Sequence, residues 1–375
     1  MSLLKKIASL FVSLVFLSNI SLCAEDATFA FNFYSSWLNS NGGKTNLVFS
    51  PYSLRLGLEI PYLGSGGKTE EQMRNLLGYP LEPVKDKSLD ILNGFWVQND
   101  FEINPEYLKA IKEGLNADAK RLDFKKQPVK ALAEINRFIK LQTKGIINNL
   151  FTQDQIQTDT RIVIANIIHF LGEWVQPFNP SQTIQKPFLS RGYPTKSVSM
   201  MVQEGSFPFY KNDDFAVLEL PYKGNFSMYV LLPHREDGIE HVDQYLTDQA
   251  PLGWLKELKT SVVHVEMPQI KTTSRNATKA ILQAMGLTIP FTTKAEFNGI
   301  APDEGLFIGD IVHEAYVKID EKGTEAVAAT GISMSTTSIA APRNTETFKV
   351  DHPFVFLICH RLTKEVFFIG RIIEL

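Results

Sequence analysis

Residues 319–330 read IDEKGTEAVAAT and are followed by GISMSTTSIAAPRN before the apolar FKVDHPFVFLICH begins. Such a run of small side chains suits neither a packed helix nor an ordinary loop. Alternation along a strand gives it a meaning. One face would carry Thr324, Ala326, Ala328, Thr330, Ile332 and Met334, none of them charged; the other would carry Glu325, Val327, Ala329, Gly331 and Ser333. The uncharged face could slip between two existing strands. In the intact chain, however, the polar STTSIAAPRN with its proline favours an exposed loop. The segment therefore reads as a latent strand, with Thr324 near the surface until that strand forms.

Outward from this run, the chain changes period between its halves. The first half carries helical signals over Ala27 to Leu38, Ser53 to Leu63, Lys68 to Leu77, Pro105 to Asn116 and Val129 to Phe151. The second half is strand-like over Val217 to Tyr222, Phe226 to Pro233, Val262 to Pro268, His313 to Asp320, FKVD, FVFLICH and VFFIGRII, with a hairpin suggested at Lys223-Gly224-Asn225. Early helices and late antiparallel strands indicate an α+β fold rather than a doubly wound parallel sheet.

With 375 residues, 44% of them hydrophobic and 11% aromatic, the chain can bury a large core. A formal net charge of -3 gives no global attraction to nucleic acid or to a membrane, so any partner must be recognised locally. Lys5 and Lys6 precede an apolar run from Ile7 to Leu17, which is followed by SNISLCA ending at Ala24. This pattern predicts a secretory signal over residues 1–24 and a single domain over 25–375, placed outside the cell or, in a bacterium, in the periplasm. Cleavage after Cys23 or Ala24 would leave Cys359 alone, without an internal disulfide, and its apolar setting in FVFLIC predicts a buried structural thiol. The NFS at Asn225 and the NAT at Asn276 are sequons that matter only on a eukaryotic secretory route.

Enzyme motifs are sparse. The two GGKT runs lack the upstream glycine of a phosphate loop, since Leu38 and Tyr62 stand there, and they read as turns. There is no HExxH, CxxC or GxSxG, so zinc and α/β-hydrolase chemistry lack their spacing, and no metal or cofactor is implied. A Ser-His-Asp set assembled from distant positions stays open at the level of sequence.

IDEKGTEAVAAT is similar to the reactive-loop hinge of the serpin family, and FKVDHPFVFLICHRLTKEVFFIGRI to its C-terminal signature. NLVFSPYSL, INRFIKLQTKGIINNLF, VIANIIHFLGEWVQPF, VSMMVQEGSF and VLELPYKGNFSMYVLLP resemble other blocks of the family, in its order. The resemblance covers nearly all of the chain after the predicted signal. It implies three β-sheets and about eight or nine helices, with a reactive-centre loop over about residues 321–347. It also implies suicide inhibition: a serine protease cleaves the loop, stays acylated, and is carried away and distorted as the loop inserts as a strand.

The same resemblance assigns mechanical rather than catalytic roles. Ser53, Asn166 and His313 match the polar cluster beneath the opening sheet, Trp174 and Glu321 match positions where the loop enters, and Gly323 to Thr330 form the hinge. Counted from Gly323, the scissile bond falls at Thr337–Ser338, with Met334, Thr336 and Arg343 as alternatives. A small hydroxyl residue there suits an elastase-like or subtilisin-like protease. Two departures stand out. Ile289 occupies the position assigned to a lysine partner of Glu321, and the segment between Leu77 and Phe95 is too short for a heparin-binding helix, which argues against polysaccharide activation. The expected molecule is a monomeric inhibitor; the alternative is a binding or carrier protein of the same fold.

Overall fold

The computed structural model describes residues 19–375 except 79–80, 82, 85, 116, 118, 191–194, 249–250, 277, 303–304 and 325–344. Its first element is α1 (Asn19–Asn41), which contains the expected cleavage position; the side chains of Phe29, Phe33, Tyr34 and Trp37 on it are buried. Strand β1 (Leu47–Phe49) leads to α2 (Pro51–Leu63). Ser50 caps α2 by accepting from the Ser53 N–H, and Pro51 opens it where a missing N–H costs nothing. Every residue of α2 is buried, so this short helix forms the centre of the core rather than a surface. Next come α3 (Gly67–Leu77), β2 (Leu89–Gln98), α4 (Pro105–Leu115), β3 (Ala119–Leu122) and α5 (Pro128–Gln142).

Then follow β4 (Ile162–Phe170), β5 (Gly172–Glu173), β6 (Ile184–Phe188), β7 (Lys196–Lys211), β8 (Phe215–Pro221) and β9 (Phe226–Pro233). After α6 (Ile239–Thr247) come β10 (Lys259–Pro268), β11 (Ile270–Asn276) and α7 (Thr278–Ala284). The chain closes with β12 (Ile308–Asp320), β13 (Gly323–Thr324), β14 (Glu346–Lys349), β15 (Phe354–His360) and β16 (Val366–Ile372).

Among the described residues these strands form two sheets where the resemblance implied three, and there are seven α-helices. One sheet runs β1-β16-β15-β9-β8-β7-β10-β14, with β6 also on β7. The sixteen-residue β7 joins what would otherwise be two groups, pairing β8 through Phe209 to Lys211 and β10 through Met200 to Phe209. The other sheet runs β3-β2-β4-β12-β13-β5, with β11 on the far side of β12.

The helix expected over Val129 to Phe151 ends at Gln142. Lys144 and Gly145 take positive φ, which the α-helix cannot continue, and Thr143 Oγ1 accepts from the Ile147 N–H across the break. The second GGKT run is the start of α3, with Gly66 as its N-cap, rather than a turn; the first does lie in the turn after α1. No helix occurs among the described residues between Leu77 and Leu89.

The centre of the second sheet is a parallel pair, β4 with β12, in register from Ile162 against Ile308 to His169 against Tyr316. Alternate residues serve different cores. Ile164, Ile168, Phe170, Ile311, Ala315, Val317 and Ile319 face the main core, whereas Val163, Ala165, Ile167 and Val312 join Ala131, Ile135 and Ile139 of α5 in a second cluster. The α5 helix therefore covers the outer face of this seam.

Candidate functional site

The seam between β4 and β12 holds the predicted residues, at two levels. At the lower level, Asn166 on β4 faces His313 on β12 in register. The Asn166 amide nitrogen lies 2.7 Å from each of three acceptors: Ser53 O, Ser53 Oγ and Asn93 Oδ1. The Ser50 N–H donates to His313 Nε2 at 2.9 Å, which places the ring proton on Nδ1, where it is donated to Asn166 Oδ1 at 2.6 Å. Burial pushes the His313 pKa down to about 3, so the ring stays neutral. Ser53, Asn166 and His313 are thus brought together in one hydrogen-bonded cluster. Ser50 and Asn93 complete the network and were not foreseen; the Ser50-Pro51 helix start is a legible signal, whereas a single asparagine in LDILNGFWVQ is not.

At the upper level, the cross-strand pairs of β4 and β12 end at His169 and Tyr316, and a third strand enters. The chain turns at Glu321 and Lys322, and β13 comes back antiparallel to both neighbours: Gly323 sits against Asp320 and Glu173, Thr324 against Ile319 and Gly172. Only glycine fits at 323, because a Cβ there would lie 1.9 Å from Gly172 O. Trp174 anchors this corner. Its Nε1 donates to Asp320 O at 3.0 Å, its N–H donates to Lys322 O at 2.9 Å, and its ring stacks on Tyr222 at 4.3 Å.

Two expectations are corrected here. Thr324 is not near the surface but fully buried, with Oγ1 2.7 Å from the Tyr222 hydroxyl, because it already occupies a strand position between β12 and β5. The residue facing Glu321 is Gln269, just before β11, and not Ile289, which lies in a short 3-10 turn. Gln269 Nε2 and Thr183 Oγ1 both donate to Glu321 Oε1, at 2.8 and 2.5 Å, so hydrogen bonds hold the carboxylate without a lysine. The hinge residues Glu325 to Thr330, and Met334, Thr336, Thr337, Ser338 and Arg343, lie outside the described residues.

Two features bear on other chemistry. His352 Nδ1 bonds Asp351 at 2.8 Å, but its Nε2 faces Pro233 O at 2.8 Å, so among the described residues this His-Asp pair hydrogen-bonds no serine. Cys359 is buried and its thiol pKa is pushed far up by desolvation, which removes the thiolate that a nucleophile needs. Among the described residues no group of three His, Cys, Asp or Glu side chains could hold a metal ion.

The family model described as Serpin (serine protease inhibitor) matches residues 24–375. A leukocyte elastase inhibitor of Xenopus laevis is 31% identical over 371 residues, covering 92% of this chain and 96% of that protein. An uncharacterised serpin-like protein of Thermococcus kodakarensis is 32% identical over 366 residues, covering 92% of this chain and 84% of that protein. Human thyroxine-binding globulin, solved with its ligand, superposes with a TM-score of 0.84 at 25% identity, covering 95% of this chain and 99% of that one.

Proposed function

The chain belongs to the serpin family, and from that premise we propose that it traps a serine protease as a suicide substrate, by inserting its cleaved loop between β4 and β12. The observation that carries this reading is the register of β13. Continued two residues at a time, that register would put Ala326 between Val317 and Phe170, Ala328 between Ala315 and Ile168, and Thr330 between His313 and Asn166. The step is self-consistent, because β4 and β12 already pair with each other at those same offsets. The even-numbered small residues would then all face the main core, where large or charged ones would not fit.

Insertion would replace one parallel ladder by two antiparallel ones, and each additional hydrogen bond contributes roughly 0.5–1.5 kcal/mol net. That gain is the driving force for dragging an acylated protease. A carrier such as thyroxine-binding globulin shares the fold, so the fold does not separate the two functions; the uncharged hinge face, which a carrier would not need, favours inhibition. The scissile bond in this reading is Thr337–Ser338, the target an elastase-like or subtilisin-like protease, and the working form a secreted monomer released after residue 24. The exposed Asn225 at the β8–β9 turn is open to glycosylation on a eukaryotic route.

Incubation with a protease panel tests this. A one-to-one adduct should survive denaturing electrophoresis, and the released peptide should begin at Ser338. Cutting elsewhere between Ser333 and Asn344 should raise the melting temperature. Cleaved protein beside fully active protease, across the whole panel, would refute trapping.

A further inference from the structure

We propose that the outer face of α5 docks on anionic phospholipid membranes, an inference that does not rest on protease trapping. The net charge of the whole chain gave no reason to expect a membrane partner, but the local distribution does. Residues 119–144 hold eight lysines and arginines against Asp123 and Glu134, a local excess of six positive charges in a chain of net charge -3. On α5, Ala131, Ile135 and Ile139 point inward. At about 100° per residue, Val129, Lys130, Ala133, Arg137, Lys140 and Leu141 fall within an outer arc of about 120°. Val129, Ala133, Arg137 and Lys140 also line a shallow groove with Asn148 and Asn149. Lys130, Arg137 and Lys140 form no ion pair among the described residues.

The apolar side chains choose the partner. Only six large hydrophobic side chains are exposed among the described residues; Val129 at 66% and Leu141 at 64% lie on this basic face, and Ile146 at 40% follows two residues after Lys144. A soluble polyanion would satisfy the cations and leave these three in water. An anionic bilayer offers charge at its surface and an apolar phase beneath it, so it satisfies both sets at once. No helix among the described residues is long and apolar enough to cross a membrane, and the geometry points to α5 lying on the surface, held by its inner face to the sheet.

Co-sedimentation with phosphatidylcholine vesicles, with and without phosphatidylserine, tests the assignment. Binding should require phosphatidylserine and weaken as salt is raised. The triple change Lys130→Gln, Arg137→Gln and Lys140→Gln should lower partitioning about 100-fold. The pair Val129→Ser and Leu141→Ser, which leaves the charge intact, should lower it about tenfold. Lys256→Gln with Lys259→Gln, exposed cations elsewhere, should change little. All these positions are exposed, so an unchanged melting temperature confirms folding. Failure to bind phosphatidylserine vesicles would overturn the proposal. So would parental binding by the serine pair, or binding confined to a sulfated polysaccharide.

Discussion

Substituting Ala328 by arginine tests the insertion register at one side chain. Continued from β13, the register puts residue 328 between Ala315 and Ile168, both fully buried in the main core. Neither neighbour offers a counter-charge. Desolvating an unpaired guanidinium costs several kcal/mol even after relaxation. Acyl-enzyme hydrolysis competes with insertion, so a barrier raised by only about 1.4 kcal/mol would slow trapping tenfold. The assay is the number of inhibitor molecules consumed per protease inactivated, for a protease that forms an adduct with the parent protein. For Ala328→Arg that number should rise at least about tenfold, and the cleaved variant should lack the gain in melting temperature that the parent shows. Glu325→Ala, whose side chain would lie on the opposite face beside Lys318, should behave like the parent. Unchanged consumption by Ala328→Arg, with a normal rise in melting temperature on cleavage, would refute the register.

Thr324→Val should lower the stability of the uncleaved protein by about 1–3 kcal/mol in urea, because it leaves the buried Tyr222 hydroxyl unpaired. Adding Tyr222→Phe should restore part of the loss, and strictly additive costs would contradict the bond. Acid should destabilise the fold through His313, whose folded pKa of about 3 lies below the unfolded value near about 6.5. The unfolded chain takes up a proton that the folded one refuses, so stability is lost from about pH 6.5 downward, by about 2 kcal/mol at pH 5; His313→Gln should flatten that slope of the urea midpoint, and an unaltered slope would assign it elsewhere. Cys359 should react with a thiol reagent only after unfolding, and rapid labelling at Cys359 in the native protein, located by peptide mapping, would contradict its burial.

Most helices were legible because their apolar residues repeat at helical spacing and their ends carry caps: Ser53 to Leu63 falls within α2, and Lys68 to Leu77 within α3. At the centre of the second sheet, β12 was legible over His313 to Asp320, but its partner β4 was not. Of the nine residues in β4, eight are buried, so IVIANIIHF lacks the alternation that marks a strand with one wet face, and only its resemblance to a family block singled it out. The polar network beneath the seam could be collected from motifs, yet its completeness depends on Asn93 from β2 and the Ser50 N–H, contacts between segments far apart in sequence. The entry corner shows the same limit more sharply. Nothing local in GTEAVAAT shows that Thr324 is already buried, because its partners are Gly172, Tyr222 and Ile319.

Alternation alone divides residues 324–334 into a small uncharged face and a face carrying Glu325, but it cannot orient the pair, since a one-residue slip exchanges them. Gly323 supplies the missing constraint. It is the residue that approaches Gly172 O too closely for any side chain, so it pins β13 against β5 and sets Thr324 opposite the buried Ile319. In the proposed inserted strand, every later even-numbered residue would inherit that orientation toward the main core. The composition of the hinge and the position of one glycine would therefore constrain the proposed insertion from opposite sides: the first makes an uncharged face available, and the second selects which face is buried.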